Sequence, residues 1–107
     1  YNLAGIVQAA YAHNAPLRSA WLDKHEGIAA DLPGFVVLDN RNLIIESVKK
    51  AEDSNAIIVR LYECHNSRGM GEISCAREVK GAFLCDLEEN EIGELEVEDG
   101  LVRFQYK

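Results

Sequence analysis

Two apolar runs separated by a short charged hinge constrain this chain more than any other stretch. Between Asn42 and Cys64 it reads NLIIESVKKAEDSNAIIVRLYEC, in which Leu43–Val48 and Ala56–Tyr62 flank the hinge Lys49, Lys50, Ala51, Glu52, Asp53, Ser54 and Asn55. The second run is rich in β-branched residues, which fit a pleated strand. Alternation in a strand sends Ile57, Val59 and Leu61 one way and Ile58, Arg60, Tyr62 and Cys64 the other. The expectation is two strands joined by a turn at Asp53-Ser54-Asn55. A helix over Asn42–Asp53 is the rival, since Leu43, Ile44, Val48 and Ala51 also trace a helical stripe, and periodicity alone leaves the choice open.

A chain of 107 residues, 48% of them apolar, suits one folded domain with a modest core. Its net charge of −7 argues against nucleic acid or an anionic membrane as partner, because both require clustered Lys and Arg. No apolar run approaches the roughly 20 residues that span a bilayer. The start, Tyr1-Asn2-Leu3, carries neither an initiator Met nor a basic leader, and Leu101–Lys107 still alternates at the end. Both features are expected of a fragment cut from a longer protein. Three cysteines, Cys64, Cys75 and Cys85, without a CxxC pair, do not form a secreted disulfide framework, so a reducing cytoplasm is the expected compartment.

In chain order, Leu3–Ala12 is a strand or a short helix, ended where Pro16 forces Ala15 out of the helical region. Ser19–Leu32 reads as a long connection, with room for a helical turn, of the kind that packs on a neighbouring domain. Pro33-Gly34 introduces a short buried strand, Phe35–Leu38, and Asp39–Asn42 is a turn. His65–Gly71 is a loop. Glu72–Lys80 resumes alternation with Ile73, Cys75 and Val79, Gly81 breaks it, and Ala82–Leu87 is another strand. Asn90–Gly93 is polar, Glu94–Glu98 alternates, and Asp99-Gly100 signals a tight hairpin into Leu101–Tyr106. The class is therefore all-β, an antiparallel β-sandwich of about seven to eight short strands. Residues 1–34 are the connecting or packing segment and 35–107 the sandwich core.

Several constellations bear on chemistry. If turns bring their strands together, Cys75 falls opposite Cys85 and near Cys64, and three thiols with His65 are a conceivable zinc set; the spacing lacks a C-x2-4-C knuckle, and buried free thiols are the commoner outcome. The acidic run Asp86, Glu88, Glu89, Glu91, Glu94, Glu96, Glu98 and Asp99 holds the residue type that glycoside hydrolysis uses in pairs. Alternation with Leu95 and Val97 instead places Glu94, Glu96 and Glu98 on a solvated, pairing-resistant strand face. Arg60, inside an apolar strand, is expected either to be paired, with a carboxylate such as Glu46 as the favoured partner, or to lie at the sheet edge. His13, His25 and His65 have no neighbouring nucleophile of a triad type. Trp21, Tyr62, Phe104 and Tyr106 are the aromatics available for sugar stacking, with Phe104 and Tyr106 better suited to the core.

The order VKKAED, at Val48–Asp53, then RLYE, at Arg60–Glu63, resembles the C-terminal β-sandwich region of the family 38 glycoside hydrolases, the retaining α-mannosidases. Asn14, Pro16, Leu17 and Arg18 extend the resemblance backwards, and Asp86-Leu87-Glu88-Glu89-Asn90 is similar to the family's Leu-Glu-rich strand; together it covers about residues 13–18 and 35–107. It implies a non-catalytic domain of a zinc-dependent, retaining α-mannosidase. The zinc and the nucleophile are then expected in the catalytic domain of the parent, so no catalytic or metal residue and no cofactor is assigned to this chain. The implied partners are the catalytic and middle domains, the α-mannoside through the parent, and a second subunit where the enzyme is a homo-oligomer. Arg60, Tyr62, Glu63, His65 and Arg68 are the candidate interface or active-site-wall residues. The alternative is an autonomous carbohydrate-binding or adhesion-type sandwich.

Overall fold

The structure is a computed structural model that describes residues 5–21, 23, 24, 26 and 34–107. The chain divides into two compact units, Tyr1–Pro33 and Gly34–Lys107.

In the first unit, the ambiguous apolar stretch is a helix, α1, Ile6–Asn14. Gly5 enters it with φ +63, a conformation that costs glycine nothing. Ala15, before Pro16, leaves the helix at φ −125 and ψ 67 and donates its N–H to the Tyr11 carbonyl at 2.8 Å. The described residues between Pro16 and Glu26 belong to no helix or strand. Most of the expected helical turn within Ser19–Leu32 lies outside the described residues.

The second unit holds seven strands among its described residues: β1 Val36–Leu38, β2 Leu43–Lys50, β3 Ile57–Glu63, β4 Gly69–Cys75, β5 Ala82–Cys85, β6 Glu91–Glu98 and β7 Leu101–Tyr106. Five form an antiparallel sheet in the order β1-β4-β7-β6-β5, and β2 and β3 form a second sheet. The strand alternative for Asn42–Asp53 prevails over the helix, because β2 is matched by β3 over almost its whole length, from Leu43↔Glu63 to Lys50↔Ile57. A register shift between Ile45 and Ser47 leaves Glu46 as the extra residue of a β-bulge.

Alternation on β4 and β7 builds one inner face from the pairs Ile73↔Val102, Gly71↔Phe104 and Gly69↔Tyr106. The two glycines explain why the expected loop to Gly71 stops short and β4 begins at Gly69. A Cβ on Gly71 would overlap the tip of the Phe104 ring and come within 2.9 Å of Leu43 Cδ1 on the second sheet. A Cβ on Gly69 would stand 2.9 Å from the Tyr106 hydroxyl. The aromatics of β7 therefore lie across the bare backbone of β4. Leu43, Ile44, Ala51, Ile73 and Val102 are the buried apolar residues among those described.

Other boundaries depart from expectation for equally local reasons. β4 ends at Cys75 rather than continuing to Lys80, because β4 and β5 lie on opposite sides of β7 and β6 and the chain must cross between them. β1 is half-covered and not buried; Phe35 and Val37 are each 45% exposed, as an outer strand of three residues allows. β5 stops at Cys85, since Asp86–Asn90 closes a tight turn, and β6 starts already at Glu91.

The Asp99-Gly100 hairpin forms as expected, with φ +51 and +78 at its two central residues, the signs of a type I′ turn. Gly100→Val is expected to lower stability by about 1–2 kcal/mol, the usual cost of a left-handed L-residue. A urea titration in which this variant keeps the wild-type midpoint would refute the assignment.

Candidate functional site

The candidate residues cluster in sequence at the end of β3 and in the loop to β4, but the fold distributes them over different surfaces. Arg60 and Tyr62 share one parity of β3 and are exposed, whereas Glu63 has the other parity and is half-buried. Arg60 pairs with Glu46, Nε to Oε2 at 3.9 Å, with each side chain about half exposed. Glu46, the extra residue of the bulge, and Ser47 both lie opposite Arg60. Such a solvated pair adds little to stability, so its effect is to orient the guanidinium.

Glu63 organises the loop that follows it. Its carboxylate accepts the His65 N–H and the Ser67 hydroxyl, both at 2.8 Å. Burial pulls its pKa upward, but the Ser67 hydroxyl and the backbone N–H groups of His65, Ser67 and Asn66 outweigh this and hold it below the usual glutamate value. Asn66 takes φ +54 at the apex. The consequence is a tight turn in which His65 is half-buried and Arg68 stands exposed. Cys64 closes the base, donating its N–H to the Asn42 carbonyl at 2.9 Å, with Sγ 3.3 Å from the same oxygen. Burial, then the Glu63 charge, pushes its thiol pKa up.

The cysteines do not converge. Cys75 lies on β4 and Cys85 on β5, with β7 and β6 between them, and Cys64 follows β3 in the other sheet. Among the described residues no group of three or more His, Cys, Asp or Glu is placed to hold a metal ion. The aromatics do not form one platform either: Phe104 and Tyr106 cover the glycines of β4, and Trp21, fully exposed, belongs to the first unit. Tyr106 Oη accepts from Asn42 Nδ2 at 3.2 Å and from Asn40 Nδ2 at 3.3 Å, and those two amides hold its pKa below the ordinary phenol value.

The acidic run divides by role. Glu94, Glu96 and Glu98 are exposed on β6 while Leu95 and Val97 are half-buried, as alternation requires. Asp86 Oδ1 accepts the backbone N–H groups of Glu88 (2.8 Å) and Asn90 (3.0 Å), and Oδ2 accepts Asn90 Nδ2 at 3.0 Å. Glu89, at φ +67, pairs with Lys49 and accepts the Glu52 N–H at 3.0 Å. Glu89 thus joins the β5–β6 turn to the β2–β3 hairpin, a tie that reading the sequence alone did not single out.

Two of these carboxylates make stability pH-dependent. The Asn90 side chain and N–H, against burial and aided by the Glu88 N–H, hold Asp86 below its ordinary pKa. The Lys49 ammonium, then the Glu52 N–H, do the same for Glu89. Groups with depressed folded pKa values contribute stability that is present above their unfolded values and lost as pH falls through the folded ones. The urea midpoint is accordingly expected to fall between about pH 5 and pH 3. Asp86→Asn should be less stable at neutral pH and show a shallower acid decline; parallel curves for the two proteins would refute this role.

The family model described as the glycosyl hydrolases family 38 C-terminal beta sandwich domain matches residues 42–107. The chain belongs to this family. It is also 31% identical over 108 aligned residues to human (Homo sapiens) alpha-mannosidase 2C1, an alignment covering 96% of this chain and 10% of that protein. The chain therefore spans about a tenth of the length of that curated relative. No solved structure matches it.

Membership in family 38 gives the two separated sequence motifs a common physical reading. Val48–Asp53 and Asp86–Asn90 are far apart in the chain, yet the Lys49–Glu89 pair and the Glu52 N–H bond bring them together. In this family 38 sandwich they are the two halves of one joint between hairpins. Asp86–Asn90, expected as part of a strand, is the turn half of that joint.

Proposed function

We propose that this chain is a non-catalytic supporting domain of a zinc-dependent, retaining α-mannosidase. The observation that carries the reading is the family 38 sandwich match over residues 42–107, together with an aligned relative named as an alpha-mannosidase. The acidic side chains support it, since Asp86, Glu89, Glu63, Glu72 and Glu98 are each engaged in holding a turn or pairing a neighbouring strand. Arg103 of β7 gathers the last two, with Nε 3.0 Å from Glu72 and Nη1 2.6 Å from Glu98. On this reading the zinc and the nucleophile belong to the catalytic domain of the parent. Three thiols, all free, suit a reducing compartment.

Arg60, Tyr62, Glu63, His65 and Arg68 then serve at an interface with another domain or along the wall of its active site. Glu63 and His65 shape the loop, whereas Arg60, Tyr62 and Arg68 are exposed to meet a partner. The test is hydrolysis of a chromogenic α-mannoside by the full-length polypeptide that contains this chain. Wild-type protein is expected to turn over the substrate in a zinc-dependent manner, and Arg68→Ala or Arg60→Ala to raise KM or lower kcat about 3-fold to 10-fold, while the urea midpoint stays within error. This range is that of a roughly 1 kcal/mol contact. Wild-type kinetics in both variants would remove the wall assignment, and a full-length protein without α-mannosidase activity would remove the reading itself.

A further inference from the structure

Strand β3 has the composition of an interior strand and the position of an outer one. Ile57, Ile58, Val59, Leu61 and Tyr62 place apolar side chains on both faces, the pattern of a strand covered on both sides. Yet β3 pairs only with β2 among the described residues, and that sheet has two strands.

The hydrogen-bond phase identifies the unused groups. Cys64 donates to Asn42, and Ala51 donates to Ala56, each at 2.9 Å. Residues of like parity, Ile58, Arg60 and Tyr62, therefore direct their peptide groups toward β2. Ile57, Val59, Leu61 and Glu63 direct their N–H and C=O groups the opposite way, and no backbone hydrogen bond among the described residues reaches them.

The other outer strands carry devices that discourage pairing. β1 is three residues long, β5 is four residues long with a register shift at Leu84/Cys85, and β2 has a bulge and exposes Glu46, Lys49 and Lys50. β3 is seven residues long and free of bulges and proline, and apart from Arg60 and Glu63 its residues are apolar. One of its faces leaves Ile57 49% exposed, and the opposite face leaves Tyr62 37% exposed.

We infer that β3 is the acceptor edge for one added strand, an extended apolar segment supplied by the remainder of the same polypeptide. The inference rests on the reading of this chain as one domain of a longer enzyme. Nine-tenths of the human relative lies outside the aligned region, so a protein built on that plan has ample chain to supply the strand. The added strand accepts from the N–H groups of Ile57, Val59, Leu61 and Glu63, donates to their carbonyls, and covers the exposed Ile57 and Tyr62 side chains.

Residue-resolved hydrogen exchange on the full-length polypeptide tests this, with a photoreactive phenylalanine analogue at Tyr62 to identify the neighbour. The Val59 and Leu61 amides are expected to exchange at least about 100-fold more slowly than open-edge amides. In a mixture of isotopically heavy and light copies, the cross-link should join β3 to residues of the same copy beyond this chain. Open-edge exchange rates at Val59 and Leu61 would overturn the inference, as would cross-links that join heavy to light copies, which would make a second protomer the occupant. The mannosidase assay is separate: an inactive polypeptide with protected β3 amides would defeat the proposed activity and leave the added strand standing.

Discussion

Gly71→Val is expected to destabilise the sandwich by about 3 kcal/mol, the upper part of the range for an overpacked core. Gly71 is buried where the two sheets meet, and even a single Cβ there runs into the Phe104 ring and approaches Leu43 Cδ1 to 2.9 Å. Relief requires Phe104 to leave its position across β4, and its pairing with Gly71 in register leaves it little room along the strand. The branched Val side chain adds two methyl groups to that clash. Urea unfolding monitored by circular dichroism checks the result. A smaller residue at the opposing position, as in Gly71→Val combined with Phe104→Leu, should recover part of the loss. A wild-type midpoint for Gly71→Val alone would show that the aromatic does not occupy the glycine's space in solution.

Leu43→Ala is the second large effect, a loss of about 3 kcal/mol from lost burial and the cavity left behind. Leu43 is 5% exposed, and its Cδ1 reaches the space over Gly71 on the other sheet. Few side chains in this unit are so completely buried, so the remainder of the core has little capacity to compensate. The two sites are also coupled. In the double variant Leu43→Ala with Gly71→Ala, the new Cβ enters space that the leucine has vacated, and the combined loss should be smaller than the sum of the single losses. Strict additivity in that cycle would separate the two residues and contradict the packing described.

Both predictions concern features that were partly legible beforehand. Phe104 and Tyr106 alternate visibly along β7, and Gly69 and Gly71 alternate along the preceding loop-like stretch. Read locally, two glycines signal a loop. Their meaning as bare backbone under two rings exists only once β4 and β7 are neighbours, a pairing about thirty residues apart in the chain. The cysteines show the same limit from the opposite side. Cys75 and Cys85 are near in sequence, but the strand order places two strands between theirs.

The candidate site was legible as a stretch and not as a surface. Arg60 and Glu46 could be matched from charge and spacing, and the structure pairs them. Glu63 read as one more polar member of the group, whereas its carboxylate is turned to the N–H of His65 and the hydroxyl of Ser67. The role of Glu89 had no local signal apart from its place in a motif, because its partners, Lys49 and the Glu52 N–H, belong to another hairpin.

What the sequence determined by itself were the properties set within a few residues. These include the alternation of β3, β6 and β7, the hinge between β2 and β3, the Asp99-Gly100 turn, and the exit from the helix before Pro16. Each depends on side-chain parity, left-handed backbone or steric exclusion, all of which are short-range. The family motifs likewise sit in the sequence as strings. Tertiary structure alone decided the strand order, the joint through Glu89, the glycine–aromatic contact between β4 and β7, and which peptide groups of β3 face away from β2. These depend on which segments become neighbours, and hydrogen bonding and apolar burial select those neighbours only when the whole sandwich closes.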